Sequence, residues 1–175
     1  EFVVKGDGPC LLRTTAAHVY GDEAEWPQIA RDLNTHQADY RDIYVEQISA
    51  DFPCTVTVGV NGETKEFANS TEYFDWLQES RTAAYMWRGC VDVVALTNMA
   101  FMDIDIIVHE NGLIQNVQHF KPDLDFPWKK EDPMKPHNVS VKNQGKMTVL
   151  NWKNVHFNLI VGPNHMLSQV GSFRF

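Results

Sequence analysis

A cysteine, a histidine and an asparagine stand in settings that prepare them for covalent chemistry. Cys10 follows the turn-prone run Gly6-Asp7-Gly8-Pro9 and opens the apolar-periodic segment that begins Leu11-Leu12-Arg13. This places a thiol at a helix N-terminus, where unpaired backbone N–H groups favour thiolate over thiol and are able to hold a later oxyanion. Far along the chain, Val155-His156-Phe157-Asn158-Leu159-Ile160 alternates so that His156 and Asn158 fall on one face of a strand. A thiol of pKa near roughly 8.5 is mostly protonated at neutral pH, and an imidazole within reach takes its proton to give a thiolate–imidazolium pair. Asn158 would accept from the other ring N–H, fixing the tautomer and plane of His156, as asparagine does in Cys-His-Asn proteases.

Other chemistry-bearing residues have plainer readings. His18 lies within the helix after Cys10 and is expected to pack or face solvent, whereas His165, after Gly162-Pro163-Asn164, is the one rival base. Cys54 and Cys90 are expected to be inert, since buried unreactive cysteine is common. Asp103 and Asp105 alternate with apolar residues and are expected on the solvated face of a strand rather than as a metal pair. His119, Trp128 and His137 have no metal-ligand spacing, so no metal and no other cofactor is expected.

The elements that must position the site follow from periodicity. Leu11, Leu12, Ala16, Val19 and Tyr20 predict a central helix after Cys10, stopped at Gly21. Residues 23–49 predict two amphipathic helices with a break near Asn34-Thr35 and Pro27 in the first turn. Residues 55–67 predict a hairpin turning at Asn61-Gly62. Ser70 is expected to cap a short helix bearing Tyr73, Phe74, Trp76 and Leu77, and 91–101 predicts another with Val91, Val94, Ala95 and Asn98 along one stripe. A strand at 104–108 returns through Asn111-Gly112 into 113–120, and 147–152 pairs with 155–161 around Lys153-Asn154. Four prolines, Pro122, Pro127, Pro133 and Pro136, mark 121–146 as a long loop. Residues 169–175 are expected to add a further edge strand.

Composition bounds the class. With 175 residues, 43% of them hydrophobic and 22% charged, the chain reads as one globular domain able to bury a core without disulfides or metals. Three cysteines with no Cys-x-x-Cys pair argue against a disulfide framework and a zinc cluster and favour a reducing compartment. A net charge of -8 disfavours nucleic acid and anionic membrane as partners and would steer a basic one inwards. No run approaches the ~18 apolar residues of a membrane span. Asn69-Ser70-Thr71 and Asn138-Val139-Ser140 match the glycosylation acceptor pattern, a frequent chance match without meaning in the cytoplasm.

Taken together, Asp7-Gly8-Pro9-Cys10-Leu11-Leu12-Arg13 and His156-Phe157-Asn158 resemble the Asp-Gly-x-Cys-Leu-(aromatic)-Arg loop and His-(aromatic)-Asn/Asp strand of the ovarian-tumour (OTU) family of cysteine deubiquitinases. Between them, Trp87-Arg88-Gly89-Cys90-Val91-Asp92-Val93-Val94-Ala95-Leu96 is similar to that family's Trp-Gly-x-x-x-(acidic)-x-x-Ala-Leu helix start, with Trp87 and Asp92 supporting the fold. The resemblance implies an α+β, papain-like fold with a central, mostly antiparallel sheet packed between helices. It implies Cys10, His156 and Asn158 as catalytic residues and an oxyanion hole from backbone N–H groups of the loop through Asp7, Gly8 and Cys10. Pro9 stands where the family often has Asn, and proline has no N–H, so any donor comes from Cys10, Gly8 or Asp7. Leu12 stands where the family has an aromatic residue.

The activity implied is hydrolysis of (iso)peptide bonds after the C-terminal Gly-Gly of ubiquitin or a ubiquitin-like modifier, through a thioester. Ubiquitin or polyubiquitin is the implied partner, with the domain a monomer, and the acidic chain suits the arginines of ubiquitin's tail. A chain that starts without methionine, with divergent outer segments, resembles OTU domains embedded in viral polyproteins; it is then a piece of a longer protein acting in the host cytoplasm. Two alternatives follow: processing of a viral polyprotein by the same triad, and a catalytically weak ubiquitin-binding module.

Overall fold

The computed structural model describes residues 3–5, 9–57, 63–79, 90–111, 113–128, 145–152 and 156–160. Helix α1, Cys10–Tyr20, begins at the candidate nucleophile. It ends at Gly21, whose φ of 77° is left-handed and whose N–H donates to the Ala17 carbonyl at 3.0 Å. Leu11, Leu12 and Ala16 are buried in the core, whereas Tyr20 is exposed.

Helices α2, Trp26–Asp39, and α3, Arg41–Gln47, follow, with Pro27 in the first turn of α2. The break falls at Tyr40, not near Asn34-Thr35, which lie inside α2. The Tyr40 N–H closes α2 on the His36 carbonyl, and the Tyr40 carbonyl accepts from Ile43 and Tyr44 to open α3. Asn and Thr weaken a helix by only a few tenths of a kcal/mol, which burial of the flanking Leu33, His36 and Gln37 outweighs.

Strands β1, Cys54–Thr57, and β2, Thr64–Phe67, pair antiparallel from Cys54↔Phe67 to Thr57↔Thr64; the Asn61-Gly62 turn lies outside the described residues. Helix α4, Ser70–Glu79, is capped by Asn69 rather than Ser70. Asn69 Oδ1 accepts from the Glu72 N–H at 2.9 Å, and Glu72 Oε2 accepts from the Ala68 N–H at 3.0 Å. Ser70 is already buried inside the helix. Helix α5, Cys90–Ala100, departs from the single stripe: Asp92, Val93 and Ala95 through Met99 are all buried, with Val91 and Val94 only half so. An apolar helix enclosed nearly all round has no one buried face.

Strands β3, Asp103–Glu110, β4, Leu113–Phe120, β5, Lys146–Trp152, and β6, His156–Ile160, form a sheet of order β4-β3-β5-β6. The β3–β4 and β5–β6 pairs are antiparallel and β3–β5 is parallel. Asn111, at φ 52°, supplies the left-handed residue of the β3–β4 turn. Ile104, Ile106, Met147, Val149, Phe157 and Leu159 fill one face, which the register makes continuous across three strands. Helix α1 packs on β5 and β6, and α5 on β3 and β4. The architecture is α+β, as expected.

Two expectations about polar and loop segments change. Asp105 is not solvated: it is 9% exposed, bonded to Lys146 Nζ and, at 2.8 Å, to His119 Nδ1 of its cross-strand neighbour. Burial would raise its pKa, but the hydrogen bonds and positive charges of Lys146 and His119 prevail and hold it below the usual carboxylate value. The start of the 121–146 loop is also anchored, because Phe126 is buried and Trp128 packs beside it against His36 and Tyr40. Residues 129–144, with His137, and the proposed 169–175 strand lie outside the described residues.

Candidate active site

Helix α1 presents Cys10 at its first position: Pro9 is the cap residue before it, its carbonyl accepts the Arg13 N–H at 2.9 Å as the first helical bond, and a proline ring disfavours helical backbone at the residue preceding it. Pro9 also has no side-chain acceptor for the first-turn N–H groups, so no side chain caps the positive end of the helix that Cys10 opens. Cys10 is 3% exposed. Asp7 and Gly8 of the expected oxyanion loop lie outside the described residues, as do Trp87 and His165.

Strand β6 supplies the other two groups. His156 and Asn158 lie on the face opposite the core residues Phe157 and Leu159, paired in register with Trp152 and Leu150. The His156 Nε2 stands 2.8 Å from Asn158 Oδ1. Asn158 is 4% exposed, and its Oδ1 also accepts the Val4 N–H at 3.3 Å. With Oδ1 as acceptor, Nε2 carries the ring hydrogen and Nδ1 keeps its lone pair as a base.

Thr14 joins the two elements. Its hydroxyl donates to the Cys10 carbonyl at 2.8 Å and lies 3.3 Å from the Phe157 carbonyl, between His156 and Asn158 in sequence. One fully buried hydroxyl thus lies within hydrogen-bond distance of the nucleophile's backbone and of the base-bearing strand. Sequence reasoning missed Thr14 and Val4. The spacing of Thr14 from Cys10 foretells the first of its contacts, since threonine often bonds the carbonyl one turn back. Nothing local foretells Phe157 or the bond from Val4 to Asn158.

The remaining candidates fall elsewhere. His18 is half-buried in the last turn of α1, and Arg13 sits over the Trp26 ring at 5.4 Å. Asp92 is fully buried and accepts from Gln37 Nε2 at 3.1 Å, tying α5 to α2. Cys54 lines a cavity of about 490 Å³ with Ile48, Phe52, Val56 and Tyr73. Burial, with a smaller contribution from Asp51, pushes its thiol pKa up, the reverse of activation. His119 is engaged with Asp105, and among the described residues no group of three or more His, Cys, Asp or Glu is placed to hold a metal.

No protein-family model and no curated protein matches the sequence. Solved structures do match. The OTU domain of OTUD1 superposes with a TM-score of 0.57 at 16% identity, over 92% of this chain and 84% of that one. The viral OTU domain protease of Dera Ghazi Khan virus gives 0.54 at 17% identity, over 91% and 80%. The Hazara virus OTU, solved bound to ubiquitin, gives 0.53 at 14% identity, over 93% and 82%. With Cys10 opening the central helix and His156 and Asn158 on the strand beside it, this chain has the fold of an OTU domain.

Proposed function

We propose that the domain is an OTU-type cysteine peptidase that hydrolyses the (iso)peptide bond after the C-terminal Gly-Gly of ubiquitin or a ubiquitin-like modifier. The observation that carries this reading is the 2.8 Å hydrogen bond between His156 Nε2 and Asn158 Oδ1, on a strand tied by Thr14 to the helix that Cys10 opens. Of the three solved structures named above, two are OTU proteins of viruses, one described as a protease and one bound to ubiquitin.

In this reading the Cys10 thiol passes its proton to His156 Nδ1, and the thiolate attacks the carbonyl carbon of the terminal glycine. The carbonyl π electrons move onto oxygen, and helix N-terminal N–H groups stabilise the oxyanion. Collapse of the tetrahedral intermediate breaks the C–N bond, and the imidazolium returns its proton to the leaving amine. A thioester remains. Water, deprotonated by Nδ1, then attacks the thioester and releases the glycine carboxyl group and the Cys10 thiol. Asn158 holds the ring through both halves.

Ubiquitin bearing a C-terminal cysteine-reactive group, followed by mass spectrometry of the intact protein, tests the reading. One adduct is expected, absent in Cys10→Ala, with hydrolysis of a ubiquitin amide lost in the same variant. Turnover that survives in Cys10→Ala overturns it. Pro9 removes one donor from the proposed oxyanion loop, and this favours a binding module as the second reading; tight ubiquitin binding without hydrolysis by the unmutated protein is its signature.

A further inference from the structure

We infer that the backbone N–H of Val4 is a positioning group, which sets the amide orientation of Asn158 and through it the tautomer of His156. The kinetic consequence rests on the peptidase reading above; the tautomer itself does not. An asparagine amide is nearly symmetric in shape, and its oxygen and nitrogen exchange places on a half-turn of the terminal torsion. In one orientation Asn158 accepts from His156 Nε2–H and leaves Nδ1 as a base. In the other, the amide NH2 faces the ring, the hydrogen moves to Nδ1, and the ring can no longer take a proton there.

A group that only donates decides between them. The Val4 N–H points at Asn158 Oδ1 from 3.3 Å, at a site where Val4 is 2% and Asn158 4% exposed. After the half-turn that N–H would meet another donor, in a place closed to water, and burial without a partner is strongly unfavourable. Val4 thus biases the amide, and the amide biases the ring. The segment carrying Val4 is itself held, since the next N–H, that of Lys5, donates to Glu23 Oε2 at 3.2 Å just before α2. A chain that runs up to the nucleophile loop therefore also orients the distant end of the triad.

The test compares Val4→Pro, which deletes the N–H, with Val4→Ala, which removes the buried side chain and keeps the N–H. Each is made in the native background and in Asn158→Asp, whose carboxylate presents an acceptor in either orientation. Val4→Pro is expected to lower kcat for a ubiquitin amide by about tenfold relative to Val4→Ala, with KM within about twofold. In the Asn158→Asp background the same change is expected to have less than a twofold effect. Nitrogen-15 NMR of the imidazole is expected to report the Nε2–H tautomer in the native protein and a mixture in Val4→Pro.

Equal losses in Val4→Pro and Val4→Ala, an undiminished loss in Asn158→Asp, or an unchanged tautomer each overturn the inference. A protein that hydrolyses neither ubiquitin nor ubiquitin-like amides refutes the peptidase reading and leaves the NMR comparison to decide this one. Should Val4→Pro not fold, amide exchange decides: the Val4 N–H is slow in the native protein and faster in Asn158→Ala, and exchange at the rate of an exposed amide overturns the inference.

Discussion

At the scale of single residues, the same polar group behaves differently according to what faces it. Cys10 and Cys54 are both thiols, yet one opens a helix and the other lines an apolar cavity beside Asp51, where burial disfavours the thiolate. Asp105 shows the opposite balance, its carboxylate favoured over the acid by Lys146 and His119 despite burial. A carboxyl whose folded pKa lies below its unfolded value of about 3.8 contributes stability above that value and loses it as pH falls through the folded pKa. Asp105→Asn is therefore expected to be about 1 kcal/mol less stable than the parent at neutral pH, with the two denaturation curves converging below about pH 4. Urea titrations at a series of pH values measure this, and a difference that persists unchanged at pH 2 contradicts it.

At the scale of elements, α1 and β6 form the working unit, and their junction is polar. Strand β6 is at one end of the described sheet order, and α1 covers it with Thr14 reaching the Phe157 carbonyl. Thr14→Val keeps the shape and removes the hydroxyl, leaving a buried carbonyl short of a donor. We expect a loss of about 1–2 kcal/mol in stability and a fall in kcat larger than any change in KM, with Thr14→Ser restoring both. Stability lost without a kcat effect would reduce Thr14 to a packing residue. Helix α4 illustrates how narrowly a cap is chosen: Asn69 and Ser70 are both good capping residues, and the one three positions before Glu72 wins, its Oδ1 taking the Glu72 N–H while the Glu72 carboxylate takes the Ala68 N–H.

At the scale of the whole molecule, the acidic balance and a buried polar cluster matter most. Tyr44 shares a 2.7 Å hydrogen bond with His36 Nε2 and accepts from Asn98 Nδ2 at 3.3 Å, while Asn98 Oδ1 accepts the Asp123 N–H at 2.8 Å. Burial above all holds the Tyr44 phenol well above the ordinary tyrosine range, so it stays a neutral link between α2, α3, α5 and the loop after β4. The net charge of -8 acts over longer range. If the substrate presents a basic tail, kcat/KM should fall several-fold as ionic strength rises from about 0.01 to 0.3 M, with kcat nearly constant. Alkylation of Cys10 by a neutral reagent should not follow the same trend. A salt-independent kcat/KM would remove charge steering from the account.

The amino-acid sequence by itself determined the features that depend on near neighbours. Cys10 at a helix start, Gly21 at its end, the Asn111 turn, the hairpin pairing of β1 with β2, and His156 and Asn158 on one face are all set by φ preferences and side-chain period. So was the resemblance to OTU domains, which the fold bears out. Tertiary structure alone decided where competing local options were nearly equal in energy or where partners are far apart in the chain. The break at Tyr40 went to an aromatic cluster, not to the weaker helix formers Asn34 and Thr35. Asp105 was drawn out of water by Lys146, from a strand 41 positions later. The bonds from Val4 to Asn158 and from Thr14 to Phe157 span 154 and 143 positions. No local preference encodes such contacts, because they exist only once the core has brought both ends of the chain together.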